Sequence, residues 1–238
     1  MQPISIGFDL AALAEQVQEL VREFKFVVDH QALPRLQLTP ERLELRAAGF
    51  SPLFVDFNAR TAVDRESAGR KQGLIRACKP ARGMQILDLT AGWGRDAAVL
   101  ARFGADVCMV ERNPMMAALL ADGLRRLNQP LSGSLRLVHM QGMDYLQTLS
   151  AELNNPIVIY IDPMHPARKK SALVKKDMQA LQLLIGPDHD VLNILNYART
   201  LSCQRIVVKW PQKLPALLAP DLILPGKTVR FDIYFCKK

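Results

Sequence analysis

The chain has 238 residues, 49% of them hydrophobic, which suits one large domain, or one domain with a small appendage, around a sizeable core. A formal net charge of +8 favours a polyanionic partner, nucleic acid first. Cys78, Cys108, Cys203 and Cys236 are scattered, with no C-x-x-C pair, which argues against a zinc site or a disulfide framework and for the reduced interior of a cell. Met1-Gln2-Pro3-Ile4-Ser5 lacks the basic-then-apolar pattern of a secretory signal, and no apolar run is long enough to cross a bilayer. A cytoplasmic protein without metal or membrane segment is the expectation.

Leu10, Leu13, Val17, Leu20 and Val21 recur at helical spacing, which predicts an amphipathic helix over residues 9 to about 22. Leu36 and Leu38 precede Thr39-Pro40-Glu41-Arg42, and Leu43 and Leu45 follow, the pattern of a β-hairpin around a four-residue turn. Phe54, Val55 and Phe57 suggest one more strand. Residues 1–65 therefore read as a small α+β N-terminal region and residues 66–238 as the main domain. Residues 66–79 read as a basic helix carrying Arg70, Lys71, Arg76 and Lys79.

From about Met84 short apolar runs alternate with helical segments. Strands are expected at Gln85–Thr90, Asp106–Glu111, Leu135–His139, Ile157–Ile161, Arg205–Lys209 and Val229–Phe235, and helices at 94–103, 114–127, 143–152, 172–185 and 188–201. This alternation predicts an α/β fold, a mostly parallel sheet with helices on both faces. The last strand alternates polar and apolar residues, which suits an antiparallel addition to that sheet. Cys108 falls inside an apolar run and reads as a small core residue.

The first strand–loop–helix unit carries Gly92-Trp93-Gly94-Arg95-Asp96-Ala97, which fits G-x-G-x-x-A. Glycines there allow a tight turn and close approach of a ligand to the backbone, although the same spacing also makes a plain strand-to-helix turn. Asp88 precedes the glycines and suits an ammonium group; Glu111 ends the next strand and suits a ribose diol. That pairing describes S-adenosylmethionine better than NAD, whose pyrophosphate needs bare N–H groups. After the third strand, Gln141 and Asp144 are placed to reach an adenine amino group, with Met143 on its face; Asp144 reads equally as a helix N-cap. Asp162 ends the fourth strand, so all four segments converge outside the carboxyl ends of the strands.

Asp162-Pro163-Met164-His165-Pro166 sets a carboxylate, a planar ring and two stiffening prolines in one loop, followed by Arg168, Lys169 and Lys170. Such a loop suits a flat amino-bearing base, with its phosphate on the cations, although Asp-Pro after a strand also reads simply as a turn. Lys175 and Lys176 are further backbone candidates, each equally a solvated surface charge, and Lys209 is a further RNA-binding candidate; with Lys213, beside Trp210-Pro211, it reads either as closing the base pocket or as flanking a turn.

Asp88-Leu-Thr-Ala-Gly-Trp-Gly-Arg-Asp-Ala, Glu111-Arg-Asn-Pro, Asp162-Pro-Met-His-Pro and Lys169-Lys-Ser-Ala-Leu-Val-Lys-Lys-Asp-Met together resemble the RsmJ family of bacterial 16S ribosomal RNA guanine-N2 methyltransferases. The resemblance extends over Leu38-Thr-Pro-Glu-Arg-Leu-Glu-Leu, Phe54-Val-Asp-Phe, Gly186-Pro-Asp, Val207-Val-Lys-Trp-Pro and Arg230-Phe-Asp-Ile-Tyr, from about residue 36 to the end. It implies a Rossmann-like class I methyltransferase that uses S-adenosylmethionine and acts on 16S rRNA or the small ribosomal subunit. It further implies that Arg95 and Asp96 bind the cofactor after the glycines, Glu111 and Arg112 take its ribose end, Gln141 and Gly142 hold its adenine end, and Asp162 stands between cofactor and target base. The Asp162 carboxylate and the Pro163 carbonyl would accept the amino hydrogens, and His165 would stack on the base where the family carries phenylalanine. The first sixty residues resemble the family only loosely.

Three other functions compete at this stage: a methyltransferase of the same fold acting on another amino group, such as DNA adenine or a protein glutamine; a nicotinamide oxidoreductase, supported by G-x-G-x-x-A and Glu111; and an RNA-binding protein of this fold without catalysis.

Overall fold

The computed structural model describes residues 3–59, 69–149, 157–164, 186 and 188–236. In chain order the elements are β1 (Ser5–Phe8), α1 (Ala14–Phe24), β2 (Val27–Val28), β3 (Arg35–Leu38), β4 (Leu43–Arg46), α2 (Gly73–Cys78), β5 (Gln85–Asp88), α3 (Arg95–Arg102), β6 (Asp106–Glu111), α4 (Pro114–Arg125), β7 (Ser134–His139), α5 (Gly142–Thr148), β8 (Ile157–Ile161), α6 (Val191–Ala198), β9 (Arg205–Pro211), β10 (Leu222–Leu224) and β11 (Val229–Tyr234). Packing groups them into two units that a single cut does not separate. The first lies within Met1–Asp56 and Asn113–Leu127, and the second within Phe57–Arg112, Asn128–Met164 and Asp188–Lys238.

In the first unit a four-stranded sheet runs β2-β1-β3-β4. The expected hairpin is β3–β4, in register Leu36↔Leu45 and Leu38↔Leu43. Thr39 shapes its turn, its hydroxyl oxygen accepting the N–H groups of Glu41 and Arg42 at 3.2 and 3.1 Å. The first helix starts later than expected: Ala11–Leu13 form a 3₁₀ turn and α1 begins at Ala14. Leu10, assigned to the helix, is exposed ahead of it. The strand expected at Phe54–Phe57 does not form. Leu53 makes one antiparallel bridge to Leu45, and Phe54 instead lies under the Arg42 guanidinium, 3.6 Å from the ring centroid. Helix α4 belongs to this unit and packs on α1 and β4. Asn113 caps it, its side chain accepting the Met115 and Met116 N–H groups, with Pro114 in the first turn.

In the second unit seven strands run β10-β11-β9-β8-β5-β6-β7, with β5 to β9 parallel and β11 antiparallel, as the alternation predicts. β8 is buried at all five positions, which is why it reads as a continuous apolar run. The chain moves outward from β5 to β6 and β7, then returns to β8 on the other side of β5. The topological switch point therefore lies between β5 and β8. Leu146 of α5 and Ile194 and Leu195 of α6 complete a core with Ile157, Ile159, Ile161, Ile206 and Val208; Cys108 lies within it as expected.

Four features depart from expectation or add to it. α6 starts at Val191 rather than 188, leaving Asp188 and Asp190 ahead of it for other partners. Of the basic helix at 66–79, the described part is a 3₁₀ turn, Gly69–Lys71, followed by α2; the helix expected at 172–185 lies outside the described residues. The polar positions of β11 are buried and paired: Arg230 Nε donates to Asp232 Oδ1 at 2.7 Å and its Nη1 to the carbonyls of Pro211, Gln212 and Leu214. Finally, Cys203 and Cys236, expected to stay unpaired, form a disulfide with Cα atoms 5.5 Å apart. Tyr234 pairs with Ile206 across β11 and β9, so that register carries the two thiols together despite 33 residues of separation. Among the described residues no helix is long and apolar enough to cross a membrane, and no group of His, Cys, Asp or Glu could hold a metal ion.

Candidate active site at the switch point

β5, β6, β8 and β9 end on one rim of the second unit's sheet. Asp88 pairs in register with Tyr160 and Ile161 with Val208, so Asp88, Asp162 and Lys209 emerge at neighbouring strand ends. Thr90 ties two of these ends together, its hydroxyl accepting the Asp162 N–H at 2.7 Å. Between β5 and α3 the chain turns through Gly92 at φ +52° and Gly94 at φ +68°, the left-handed region that favours glycine. Glu111, buried at the end of β6, accepts the Gly92 N–H at 3.0 Å and so braces the turn.

Burial pushes the Asp88 carboxyl up to about 8; the hydrogen bond from the Thr90 N–H opposes this, and Asp96, Asp162 and Glu111 add to it. Lys209 brings a cation into this acidic cluster. Lys209 Nζ lies 2.7 Å from Asp162 Oδ2 and 2.9 Å from Asp96 Oδ2. Burial works against its charge, yet the two carboxylates outweigh burial and raise its pKa above the ordinary lysine range. The Tyr160 hydroxyl donates to the same Asp96 oxygen at 2.6 Å; burial first, then Asp96 and Asp162, hold that phenol well above its usual value, so it stays a donor. Lys209, expected to bind RNA, thus turns its ammonium to two carboxylates because strand pairing aims it at them.

Other expected residues fall around the same rim. Arg95 is exposed and opens α3, and Asp96 follows in its first turn. Gln141 is exposed at the N-cap position of α5, so Asp144 lies in the first turn and is not the cap. Gly142 is buried, and a Cβ there would stand 3.3 Å from Leu89 O, a close backbone approach. Met143 packs against the core. Arg112, expected at a ribose, pairs with Asp188 and lies 3.3 Å from Asp190 Oδ1. Pro163 is buried and Met164 half-buried beyond Asp162. His165, Arg168, Lys169, Lys170, Lys175 and Lys176 lie outside the described residues.

Sequence reasoning assigned no role to Thr90, Tyr160, Asp188 or Asp190. Tyr160 had a signal, a hydroxyl inside an otherwise apolar buried run; Asp188 had one in the quoted Gly186-Pro-Asp motif.

The SAM-dependent methyltransferase family model matches residues 19–236. The chain is 50% identical over 235 residues to the ribosomal RNA small subunit methyltransferase J of Legionella pneumophila (strain Philadelphia 1), covering 98% of this chain and 96% of that protein. It is 41% identical over 253 aligned positions to the protein of the same name from Coxiella burnetii (strain Dugway 5J108-111), covering 98% and 97%. Among solved structures it resembles a SAM-dependent methyltransferase from Neisseria gonorrhoeae, with a TM-score of 0.75, 29% identity, and 98% and 96% of the two chains covered.

Proposed function

We propose a function for a chain that belongs to the ribosomal RNA small subunit methyltransferase J family: it transfers the methyl group of S-adenosylmethionine to the exocyclic N2 amino group of a guanine in 16S rRNA. The observation that carries this reading is the Asp162 carboxylate at the switch point, tied to the β5 loop through Thr90 and ion-paired to Lys209. The donor set suits the cofactor. Asp88 and Asp162 favour its cationic groups, Glu111 favours its diol, and a pyrophosphate would meet these carboxylates with repulsion. S-adenosylmethionine supplies an electrophilic methyl group.

The chain's residues do the rest. A guanine amino nitrogen is a weak nucleophile, so orientation dominates; holding reactants in line removes roughly 7–11 kcal/mol of barrier in favourable cases. Asp162 and the Pro163 carbonyl accept the amino hydrogens and stabilise the positive charge that develops on nitrogen. His165 stacks on the unstacked base, a contact worth about 1–3 kcal/mol. Arg168, Lys169, Lys170, Lys175 and Lys176 hold the adjoining phosphates. Arg95, Asp96, Gln141, Gly142 and Asp144 bind the cofactor with Gly92 and Gly94, in the cytoplasm where ribosomal subunits are assembled.

The test is tritiated-methyl transfer to rRNA from cells lacking this protein, with the labelled nucleoside identified by mass spectrometry. Label in N2-methylguanosine of 16S rRNA supports the assignment. Label in another nucleoside, or none with wild-type protein, refutes it.

A further inference from the structure

We infer that Lys209 is a positioning residue for the methyl transfer: its ammonium, set between Asp96 of α3 and Asp162 of the substrate loop, holds the Asp162 carboxylate as a fixed anionic acceptor that orients the amino group and does not take its proton. This rests on the function proposed above. β8 and β9 are parallel neighbours in register Ile161↔Val208, so the next residue of each strand, Asp162 and Lys209, reaches the rim side by side. The Nζ–Oδ2 separation is 2.7 Å to Asp162 and 2.9 Å to Asp96, and Lys209 is three-quarters buried. The Tyr160 hydroxyl donates to the same Asp96 oxygen at 2.6 Å, so the ammonium's second partner is itself held in place.

Among the described residues, Asp88 on β5, Tyr160 on its own strand and Lys209 on β9 interact with the Asp162 charge, and Asp96 on α3 shares the Lys209 ammonium with it. The two acids would raise its proton affinity; the ammonium in direct contact lowers it. Asp96 and Asp162 in turn favour the charge of Lys209, which keeps the cation in place beside the carboxylate. The reaction has no need of a strong base. The guanine N2 lone pair forms the C–N bond as the methyl–sulfur bond breaks, with its electron pair kept by sulfur. Nitrogen then carries a positive charge and four bonds, and it sheds one proton to water. An ion-paired carboxylate is a poor proton acceptor but a strong oriented hydrogen-bond acceptor.

The experiment compares wild type, Lys209→Met and Lys209→Arg on rRNA from cells lacking the protein, with kcat, KM for RNA and kcat against pH recorded. For Lys209→Met we expect kcat down about 100-fold and KM for RNA within about threefold. The acidic limb of the kcat profile should move up by roughly a pH unit or more, because Asp162 loses its cation. Lys209→Arg should return the limb to the wild-type position. Unchanged kcat and limb in Lys209→Met overturn the inference. So does unchanged kcat with weaker RNA binding and a shallower salt dependence, which would make Lys209 a phosphate contact. Should Lys209→Met not fold, carboxyl-carbon NMR on wild type decides. Asp162 titrating below the ordinary value of about 3.9 supports the inference, and titration at or above it refutes it. Wild-type inactivity on rRNA sinks the function and this inference together; an active wild type with unaltered variant kinetics sinks this one alone.

Discussion

Met164 and Asp188 hold each other twice: the Met164 N–H donates to Asp188 Oδ2 at 2.7 Å, and the Asp188 N–H donates to Met164 O at 3.0 Å. Arg112, at the end of β6, pairs with the same carboxylate. One aspartate therefore ties the loop that follows Asp162 to the strand end that carries Glu111.

Removing that tie should loosen the substrate loop more than the cofactor site. Asp188→Ala is expected to lower kcat/KM for RNA by roughly 10- to 100-fold, about 1.4–2.7 kcal/mol, with a smaller change in S-adenosylmethionine affinity. Asp188→Asn, which keeps an acceptor oxygen for Met164, should fall between the two. Steady-state kinetics and calorimetric cofactor titration check both.

Glu111 has two tasks in this reading, bracing Gly92 and meeting the ribose. Glu111→Ala removes a charged hydrogen bond of about 1.5–3 kcal/mol from the turn alone. S-adenosylmethionine affinity should weaken at least about tenfold while the fold survives. Isothermal titration and circular dichroism on the same sample report the two quantities.

The raised carboxyl of Asp88 makes cofactor binding depend on pH. In the folded chain Asp88 keeps its proton up to about 8, and a cationic ligand favours the ionised form. Affinity for S-adenosylmethionine should therefore rise with pH through that value, with proton release that varies with buffer ionisation enthalpy. Asp88→Asn, compared under the same conditions, should lose the part due to this group. Stability follows the opposite sign. Between the ordinary 3.8 and about 8 the unfolded chain has lost this proton and the folded chain has not, so the Asp88 contribution to stability falls as pH rises and is flat above. Urea unfolding of wild type and Asp88→Asn from pH 5 to 9 should show the variant gaining relative stability toward the alkaline end.

Arg230 and Asp232 form a buried pair with side chains 8% and 1% exposed. Asp232→Ala leaves a buried guanidinium without its carboxylate, and the expected loss is about 3–5 kcal/mol. A double change that replaces both with apolar residues should recover most of it. Chemical denaturation measures each step.

Much of this architecture was legible in sequence because its signals are periodic. β8 is buried on both faces and reads as an unbroken apolar run; β6 has the expected limits, and α3 and α4 lie within theirs. What escaped depends on pairing at a distance. β10 is three residues long and has no pattern of its own; it forms because β11 offers an edge. Phe54 looked like part of a strand because aromatic residues favour strands, but a guanidinium over the ring decided its place. At the site, Asp88, Glu111 and Asp162 were readable because each ends a strand. The partner of Lys209 was not, since only the β8–β9 register sets it beside Asp162.

The bond between Cys203 and Cys236 gives the sheet a chemical record of its own alignment. The thiols lie just beyond the Ile206–Tyr234 pair, near the amino end of β9, whereas Lys209 lies toward its carboxyl end. Sliding β11 by two positions would keep every side chain on its proper face and still carry the sulfurs apart. An oxidised chain, lighter by two hydrogens, is therefore one whose final strands have met in this register, and a mass measurement reads that without reference to the methylation chemistry.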